Sequence, residues 1–198
     1  FAFPWGEPGT SISSEDGPDE WQRDICNELK KALEDGEDST KAIATAIRVA
    51  VASGHGIGKT ALIAWLIKWF MATREFPQIV VTASGFAQLS NKTWRELAKW
   101  HRMSIDEHWY VWTATKYYHI QYPSTWFAAA IPWSEHNPDA FAGTHEKHVL
   151  IIYDEAQAIA DTIWSVTEGA MTTAGVIWIA FGNYSKNVGR FHECFAGK

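Results

Sequence analysis

Cysteines and metal-binding patterns are scarce in this sequence. Its 198 residues include two cysteines, Cys26 and Cys194, whose separation matches no metal site. Its eight histidines include no HExxH pair. We therefore expect neither a disulfide framework nor a zinc site, and we interpret the cysteines as isolated reduced thiols of a cytosolic protein.

Long apolar runs are also missing. A membrane-spanning helix needs about 20 consecutive apolar residues, whereas the longest candidate, residues 61–71, is much shorter and contains Lys68. No signal peptide is visible, and the chain begins with Phe1 rather than Met. We expect a protein without membrane contact, and a piece of a longer polypeptide.

Basic residues are outnumbered by acidic ones. The formal net charge is −6, which argues against a uniformly basic nucleic-acid binder. The distribution is uneven, because residues 1–40 contain eleven acids and three bases, whereas residues 41–102 contain only two acids, Glu75 and Glu96. The nine bases of this middle segment either meet a polyanion or lie on ordinary solvated helix faces, and the sequence leaves both open. They are Lys41, Arg48, Lys59, Lys68, Arg74, Lys92, Arg95, Lys99 and Arg102.

Residues 47–60 have the most informative pattern in the chain. Apolar residues at 47, 49 and 51 predict a buried strand, residues 53–58 form a loop with three glycines, and Lys59-Thr60 begins an apolar helix. Strand, glycine loop, Lys-Thr and helix together predict a phosphate-binding P-loop. The first position of the pattern is Ser53 rather than glycine, and it is small enough for the turn.

The residue types of this loop fit a nucleoside triphosphate such as ATP. Backbone N–H groups must converge on a phosphate, glycine leaves them room, and the helix N-terminus adds partial positive charge. Lys59 is expected to reach the β- and γ-phosphates, and the Thr60 hydroxyl to complete a Mg²⁺ shell. The His55 side chain is expected to face solvent without a role. The predicted cradle is Ser53, Gly54, His55, Gly56, Ile57, Gly58, Lys59 and Thr60.

Helical and extended patterns alternate along the rest of the chain. This alternation predicts an α/β fold of the P-loop NTPase class (ASCE or RecA-like), with a mainly parallel central sheet flanked by helices on both faces. Residues 1–40 are expected to be an acidic lead-in and a helix packed on the ATPase core of residues 41–198. Helices are predicted over residues 20–33, 40–46, 61–70, 86–102 and 162–171, a turn of helix with a loop over 138–143, and strands over 47–51, 79–83, 117–122, 126–131, 149–153 and 175–181.

Polar residues follow two of the predicted buried strands. Asp154 and Glu155 come after the apolar run 149–153, at the sheet end where ligands collect in α/β folds. Asp154 is predicted to hold Mg²⁺, and Glu155 to orient and deprotonate the attacking water. Asn183 follows the last strand, where an amide reaches the γ-phosphate or the water; an ordinary turn is the alternative.

Two further groups of residues are candidates for the same site. Trp21 and Gln22, upstream of the first strand, can place an aromatic ring beside the adenine and an amide on its edge, although an amphipathic helix explains them too. Phosphoryl transfer often uses an arginine finger. The candidates are Arg95, Arg102 and Arg190, and Arg48 and Arg74 are further candidates.

The chain resembles the ATPase domain of the large terminase subunit of tailed phages, the DNA-packaging motor. The resemblance includes Trp21-Gln22, the loop Ser53–Thr60, Val81–Ser84, Phe141–His145 and Ile151–Ala156. It continues in Trp164, Glu168–Ala170 and Phe181–Phe191, and this last stretch is similar to the terminase coupling motif.

The resemblance implies roles for single residues. Gln22 matches the adenine-recognition glutamine, Lys59 and Thr60 the Walker A pair, Asp154 and Glu155 the Walker B pair, and Asn183 the coupling position. Many terminases have an arginine or lysine early in the P-loop, and this chain has Ser53 and His55 there, so no sensor arginine is implied in cis.

The resemblance also implies partners and a location. They are double-stranded DNA, a portal protein, a small terminase subunit and further copies of the chain in a ring, in the cytoplasm of a bacterial host. The family usually continues into a metal-dependent nuclease domain; this chain ends at Lys198, so no nuclease activity is expected from it.

Two other functions remain compatible with the motifs. A helicase-like or PhoH-like ATPase shares Asp154-Glu-Ala-Gln157, although the chain lacks a second RecA-like domain. The second compatible function is that of an ATP-binding assembly module that hydrolyses little ATP on its own. ATPase measurements with and without DNA separate the three.

Overall fold

A mixed seven-stranded sheet forms the centre of the protein in the computed structural model, which describes residues 3–37, 46–54, 56–133, 146–170 and 175–196. The apolar runs of the sequence form its strands, since buried strands need apolar side chains on both faces. In chain order they are β1 (Ile47–Ala52), β2 (Gln78–Thr82), β3 (Tyr110–Trp112), β4 (Lys116–His119), β5 (Phe127–Ala130), β6 (Val149–Tyr153) and β7 (Val176–Gly182).

The helices of the described ranges connect these strands. The helix predicted over residues 86–102 is α3, a π-helical turn (Leu89–Trp94) and α4 in direct succession. Two short 3₁₀ turns cover Glu107–Trp109 and Ala156–Ala158. The α-helices are α1 (Glu20–Glu37), α2 (Lys59–Thr73), α3 (Phe86–Gln88), α4 (Arg95–Arg102), α5 (Asp161–Ala170) and α6 (Arg190–Glu193).

The strand order is β1-β7-β6-β2-β5-β4-β3. The first five of these strands are mutually parallel, and β4 and β3 are added antiparallel, which confirms the predicted mainly parallel sheet. The register pairs Ala52 with Gly182 and Thr82 with Tyr153. The carboxyl ends of β1, β7, β6 and β2 therefore meet at one edge of the sheet.

Helices cover both faces of the sheet, as predicted. Along β6, Leu150 and Ile152 pack into a core with α1, α2 and α4, whereas Ile151 and Tyr153 pack into a second core with α5 and α6. The alternation follows from the two-residue period of a strand.

The α2–α4 side of the sheet contains a buried charge that the sequence did not predict. Lys68 lies on α2 with a fully buried side chain. Its Nζ is 2.5 Å from Asp106 Oδ1 and 2.9 Å from the Tyr117 hydroxyl. Burial lowers the pKa of Lys68, and the hydrogen bond to Asp106 opposes that shift. A buried cation with such partners is compatible with a core, whereas an isolated one is not.

The remaining predictions concern two short strands, the inner residues of one helical segment, the cysteines and two further helical segments. The pair of short strands near residue 120 is confirmed as β4 and β5, while β3 was missed. The inner residues of the 86–102 segment, Leu89, Trp94, Leu97 and Trp100, are buried as predicted. Both cysteines are free. The helical turn and loop predicted over 138–143 lie outside the described residues, as does all but the last residue of the helix predicted over 40–46. Within the described ranges no helix has the length and apolarity to cross a membrane.

Candidate nucleotide-binding site

The loop between β1 and α2 has the backbone of a phosphate cradle. Gly56 and Gly58 have φ of 76° and 87°, in the left-handed region that favours glycine. A Cβ on Gly58 would lie 2.9 Å from the Gln22 amide nitrogen. Helix α2 begins at Lys59, directly after Gly58, so its free N–H groups border the loop. Ser53 and Gly54 precede these residues in the loop, Ile57 is exposed, and His55 lies outside the described residues.

Lys59 connects the loop to the end of β7. Its Nζ is 2.5 Å from the Gly54 carbonyl oxygen and 2.7 Å from Asn183 Oδ1. Burial lowers the pKa of Lys59, and the nearby Asp154 and Glu155 carboxylates oppose the shift. The parallel pairing of β1 with β7 brings Asn183 here from 124 positions away.

Gln22 supports the loop from α1. The side chain is buried, and its Oε1 accepts a hydrogen bond from the Asp19 N–H at 2.8 Å. Asp19 and Gln22 are three residues apart at the start of α1, so this is the glutamine half of a capping box. The Gln22 amide nitrogen donates to the Gly58 carbonyl at 3.2 Å. Trp21 packs on the core beside it. Contact of Gln22 with adenine stays a prediction.

Asp154 is fixed at the end of β6. It is 4% exposed; its Oδ2 accepts a hydrogen bond from the Thr93 hydroxyl, and its Oδ1 one from the Glu155 N–H at 3.0 Å. Burial raises the pKa of Asp154, and the hydrogen bond from Thr93 opposes the increase. The sequence did not indicate Thr93, because it lies 61 positions from Asp154 and no local pattern connects the two.

Glu155 has an unusual backbone conformation. It is a non-glycine residue with φ 53° and ψ 44°, a conformation that costs about 1–3 kcal/mol and recurs at functional sites. Its carboxylate accepts hydrogen bonds from Gln88 Nε2 at 2.6 Å and from the Ser84 hydroxyl at 3.4 Å. Lys92 Nζ is 3.6 Å from it. The helix after β2 therefore holds both carboxyl groups of the Asp-Glu pair.

Gln157 is a further residue that the sequence analysis did not assign to the site. Its Oε1 accepts a hydrogen bond from the Asn183 N–H at 3.0 Å, which connects the segment after β6 to the end of β7. Its position three residues after Asp154, in the motif shared with helicases, was a usable signal.

One cleft of about 310 Å³ at the carboxyl edge of the sheet brings most of these groups together, whereas Gln22 and Thr93 are not among its lining residues. The Thr60 hydroxyl and the Asp154 carboxylate are oxygen donors of the kind that Mg²⁺ prefers, and Mg²⁺ bound with a nucleotide keeps waters and phosphate oxygens as its other ligands. The described ranges contain no group of three or more His, Cys, Asp or Glu that could hold a metal alone. The residues present fit a magnesium ion that arrives with a triphosphate. The lining residues include Gly56, Gly58, Lys59, Thr60, Gln88, Lys92, Asp154, Glu155, Gln157 and Asn183.

The candidate finger arginines lie in different places. Arg95 and Arg102 line a groove that also includes Thr60. Arg190 pairs with Glu168 and Glu193, and Arg48 lines the same pocket as Arg190. Arg74, directly after α2, lies over the Trp69 and Phe70 rings.

The fold is that of a P-loop NTPase. A mainly parallel sheet, a glycine loop entering a buried helix, and an Asp-Glu pair after another parallel strand of the same sheet define this class.

Among proteins of this class, the chain is similar to phage large terminases. It is 25% identical over 127 residues to the "Probable terminase, large subunit" of Enterobacteria phage P7, a match that covers 62% of this chain and 26% of that protein. No protein-family profile matches the sequence.

Solved structures of large terminases share the fold. The large terminase of bacteriophage HK97 superposes with a TM-score of 0.59 at 17% identity, over 86% of this chain and 34% of its own. The large terminase ATPase domain of Thermus phage P74-26 gives 0.55 at 17% identity, over 78% and 65% of the two chains. A large terminase from a thermophilic bacteriophage, solved in complex with ADP, gives 0.50 at 14% identity, over 77% and 38%. The chain thus spans about a quarter of the P7 protein and a third of the HK97 protein.

Proposed function

We propose that this chain is the Mg²⁺-dependent ATPase domain of a phage terminase large subunit, and that it couples ATP hydrolysis to the movement of double-stranded DNA into a capsid. The observation that carries the proposal is the single cleft in which Lys59, Asp154 and Glu155 meet, although they come from two distant parts of the chain. The similarity to large terminases supports the packaging context.

In this proposal the loop and α2 bind the triphosphate. The N–H groups at the start of α2 and the Lys59 ammonium hold the β- and γ-phosphates, and the Gln22 amide reads the adenine edge. Thr60 and Asp154 hold Mg²⁺. An ion held by these two side chains would supply positive charge to the triphosphate.

Glu155 orients the attacking water and accepts its proton. The water oxygen bonds to the γ-phosphorus, the bond from that phosphorus to the bridging oxygen breaks, and ADP and phosphate are released. Gln88 and Ser84 set the direction of the Glu155 carboxylate, because both donate hydrogen bonds to it. Lys59 stabilises the charge that develops on the transferred group, and Asn183, beside it, orients the γ-phosphate or the water.

The remaining partners follow from the packaging role. A terminase motor works on double-stranded DNA, docks on the portal, receives DNA from a small subunit and assembles as a ring of identical chains in the host cytoplasm. Each of these is part of the proposal.

The test measures phosphate release by the wild type, Lys59→Ala and the control Glu75→Gln, with and without duplex DNA. Glu75 is an exposed glutamate of the loop after α2, so its loss should leave the rate unchanged. We expect turnover by the wild type that duplex DNA stimulates, and none by Lys59→Ala. Duplex unwinding would favour the helicase alternative, and ATP binding without turnover would favour an assembly module. An undiminished rate in Lys59→Ala would refute the site itself.

A further inference from the structure

A basic groove lies beside the nucleotide cleft, along the helix that follows β2. Four exposed cations line it, and their spacings of three, four and three residues place them on one side of a helix. They are Lys92, Arg95, Lys99 and Arg102. The groove has a volume of about 490 Å³. We define the basic groove by its lining residues, Thr60, Asn91, Lys92, Arg95, Glu96, Lys99 and Arg102.

Two of the four cations of the basic groove have an acidic partner, because Lys92 lies 3.6 Å from Glu155 and Lys99 pairs with Glu96. Glu96 is the groove's one acidic lining residue; it lies 3.3 Å from Lys99 and also accepts a hydrogen bond from the Trp100 indole. Within the described ranges, neither Arg95 nor Arg102 forms an ion pair. The chain as a whole is acidic, with a net charge of −6. The groove is therefore a local positive surface on an acidic protein, which attracts an extended polyanion.

The residue types indicate which polyanion fits. The lining residues of the basic groove include no aromatic side chain on which a base could stack, whereas single-strand binders rely on such platforms. Lys99 lies over the Trp100 ring, but that ring is buried and offers no stacking platform to a base. Arginine and lysine are among the side chains that contact phosphates in protein–DNA complexes. From Lys92 to Arg102 a helix advances about 15 Å, which is roughly the axial length of four phosphates on one strand.

We propose that the basic groove binds the phosphate backbone of duplex DNA. The inference rests on the proposed function in its choice of DNA, and it adds the surface that the sequence left undecided. It also places DNA next to the catalytic groups, because Thr60 and Lys92 line both the groove and the cleft. Lys92 is 3.6 Å from Glu155, so a phosphate in the groove and the Glu155 carboxylate would share one ammonium.

The experiment measures binding of a labelled duplex to the full chain without nucleotide, by fluorescence anisotropy, from about 50 to 200 mM salt. The double variant Arg95→Gln/Arg102→Gln removes two phosphate contacts. We expect it to weaken binding and to reduce the slope of log K against log salt by about two. The control Lys30→Gln/Lys31→Gln removes the same charge from exposed positions on α1, and its slope should equal that of the wild type.

A charge-retaining variant shows whether the effect is electrostatic. Arg95→Lys/Arg102→Lys keeps both cations, so it should recover most of the wild-type slope. All of these positions are exposed, and the melting temperatures should be equal. An unchanged slope in the glutamine variant, equal losses in the α1 control, or no duplex binding by the wild type would overturn the proposal.

Failure of this inference and of the proposed function are distinguishable. If DNA binding depends on Arg95 and Arg102 but the chain cannot hydrolyse ATP, the proposed motor function is refuted and DNA binding by the basic groove stands. If duplex DNA stimulates hydrolysis but the glutamine variant binds DNA as the wild type does, DNA binding by the basic groove is refuted and the proposed motor function stands. Tighter binding of a single strand than of a duplex would contradict the groove's assignment to duplex DNA.

Discussion

The hydrogen bond from Thr93 to Asp154 gives the sharpest prediction about how the site is built. Thr93 is fully buried and Asp154 is 4% exposed, so water cannot replace the hydroxyl if it is removed. Thr93→Val keeps the shape of the side chain and removes the donor. A hydrogen bond to a charged group contributes about 1.5–3 kcal/mol. For a chain of this length, 1 kcal/mol corresponds to roughly 2–4 °C in melting temperature, so we expect a loss of about 3–12 °C near pH 7.

The loss should depend on pH in a defined direction. Burial already raises the pKa of Asp154 above its ordinary value, and the hydrogen bond from Thr93 opposes that increase. Without Thr93 the folded-state pKa rises further. Below the unfolded-state pKa the carboxyl is protonated in both states, so the destabilisation should fade at acidic pH and grow as the pH rises through the folded-state pKa.

Thr93→Ser is the matched control, because it keeps the hydroxyl and removes only a methyl group, at a cost of about 1 kcal/mol. Thermal melts from acidic to neutral pH give stability, and the Mg²⁺ concentration for half-maximal ATPase activity gives the effect on the site. Loss of a residue that orients a metal ligand typically costs 10–100-fold in metal affinity. We expect that shift in Thr93→Val and not in Thr93→Ser. Equal Mg²⁺ requirements and pH-independent losses in both variants would refute the positioning role.

Three further predictions concern other parts of the fold. Asp154→Asn removes a buried charge, so it should melt about 2–4 °C higher at pH 7, a gain of about 1 kcal/mol; the gain should disappear below about pH 3, under the ordinary aspartate pKa of about 3.9, where the wild-type carboxyl is protonated in both states, and a lower melting temperature at pH 7 would contradict this. Lys68→Met leaves Asp106 buried without its cation, so urea unfolding should show a loss of about 3–5 kcal/mol; Lys68→Met/Asp106→Asn should recover part of it, and no recovery would argue against the ion pair. Gly58→Ala forces a Cβ to within 2.9 Å of the Gln22 amide at φ 87°, so it should cost about 1–2 kcal/mol for the left-handed conformation alone, and wild-type stability would contradict the geometry.

The sequence predicted the parts of this protein whose signals are local. The apolar runs at 149–153 and 175–181 can hardly be anything other than buried strands, and both are found as β6 and β7. The glycine loop before Lys59 has a fixed spacing because the backbone must turn around a phosphate. The presence of helices on both faces of the sheet was predicted from the alternation of strands and helices.

The parts that the sequence missed depend on contacts between distant residues. Thr93 lies in the π-helical turn after β2 and meets Asp154 from 61 positions away, a contact that no local residue pattern specifies. Gln88 lies just before that turn, and its hydrogen bond to Glu155 joins residues 67 positions apart. Lys68 appeared as an exception in an apolar helix, and its partner Asp106 lies 38 positions away.

Glu155 is the group that activates water in the proposed mechanism, in a site that Lys59 holds together. The direct measurement compares ATP affinity and turnover in wild type, Glu155→Gln and Lys59→Ala. Loss of a general base lowers the rate about 10²–10⁴-fold, so Glu155→Gln should bind ATP as the wild type does and hydrolyse it at least about a hundred times more slowly, whereas Lys59→Ala should lose binding. Equal turnover in Glu155→Gln and the wild type would contradict the account.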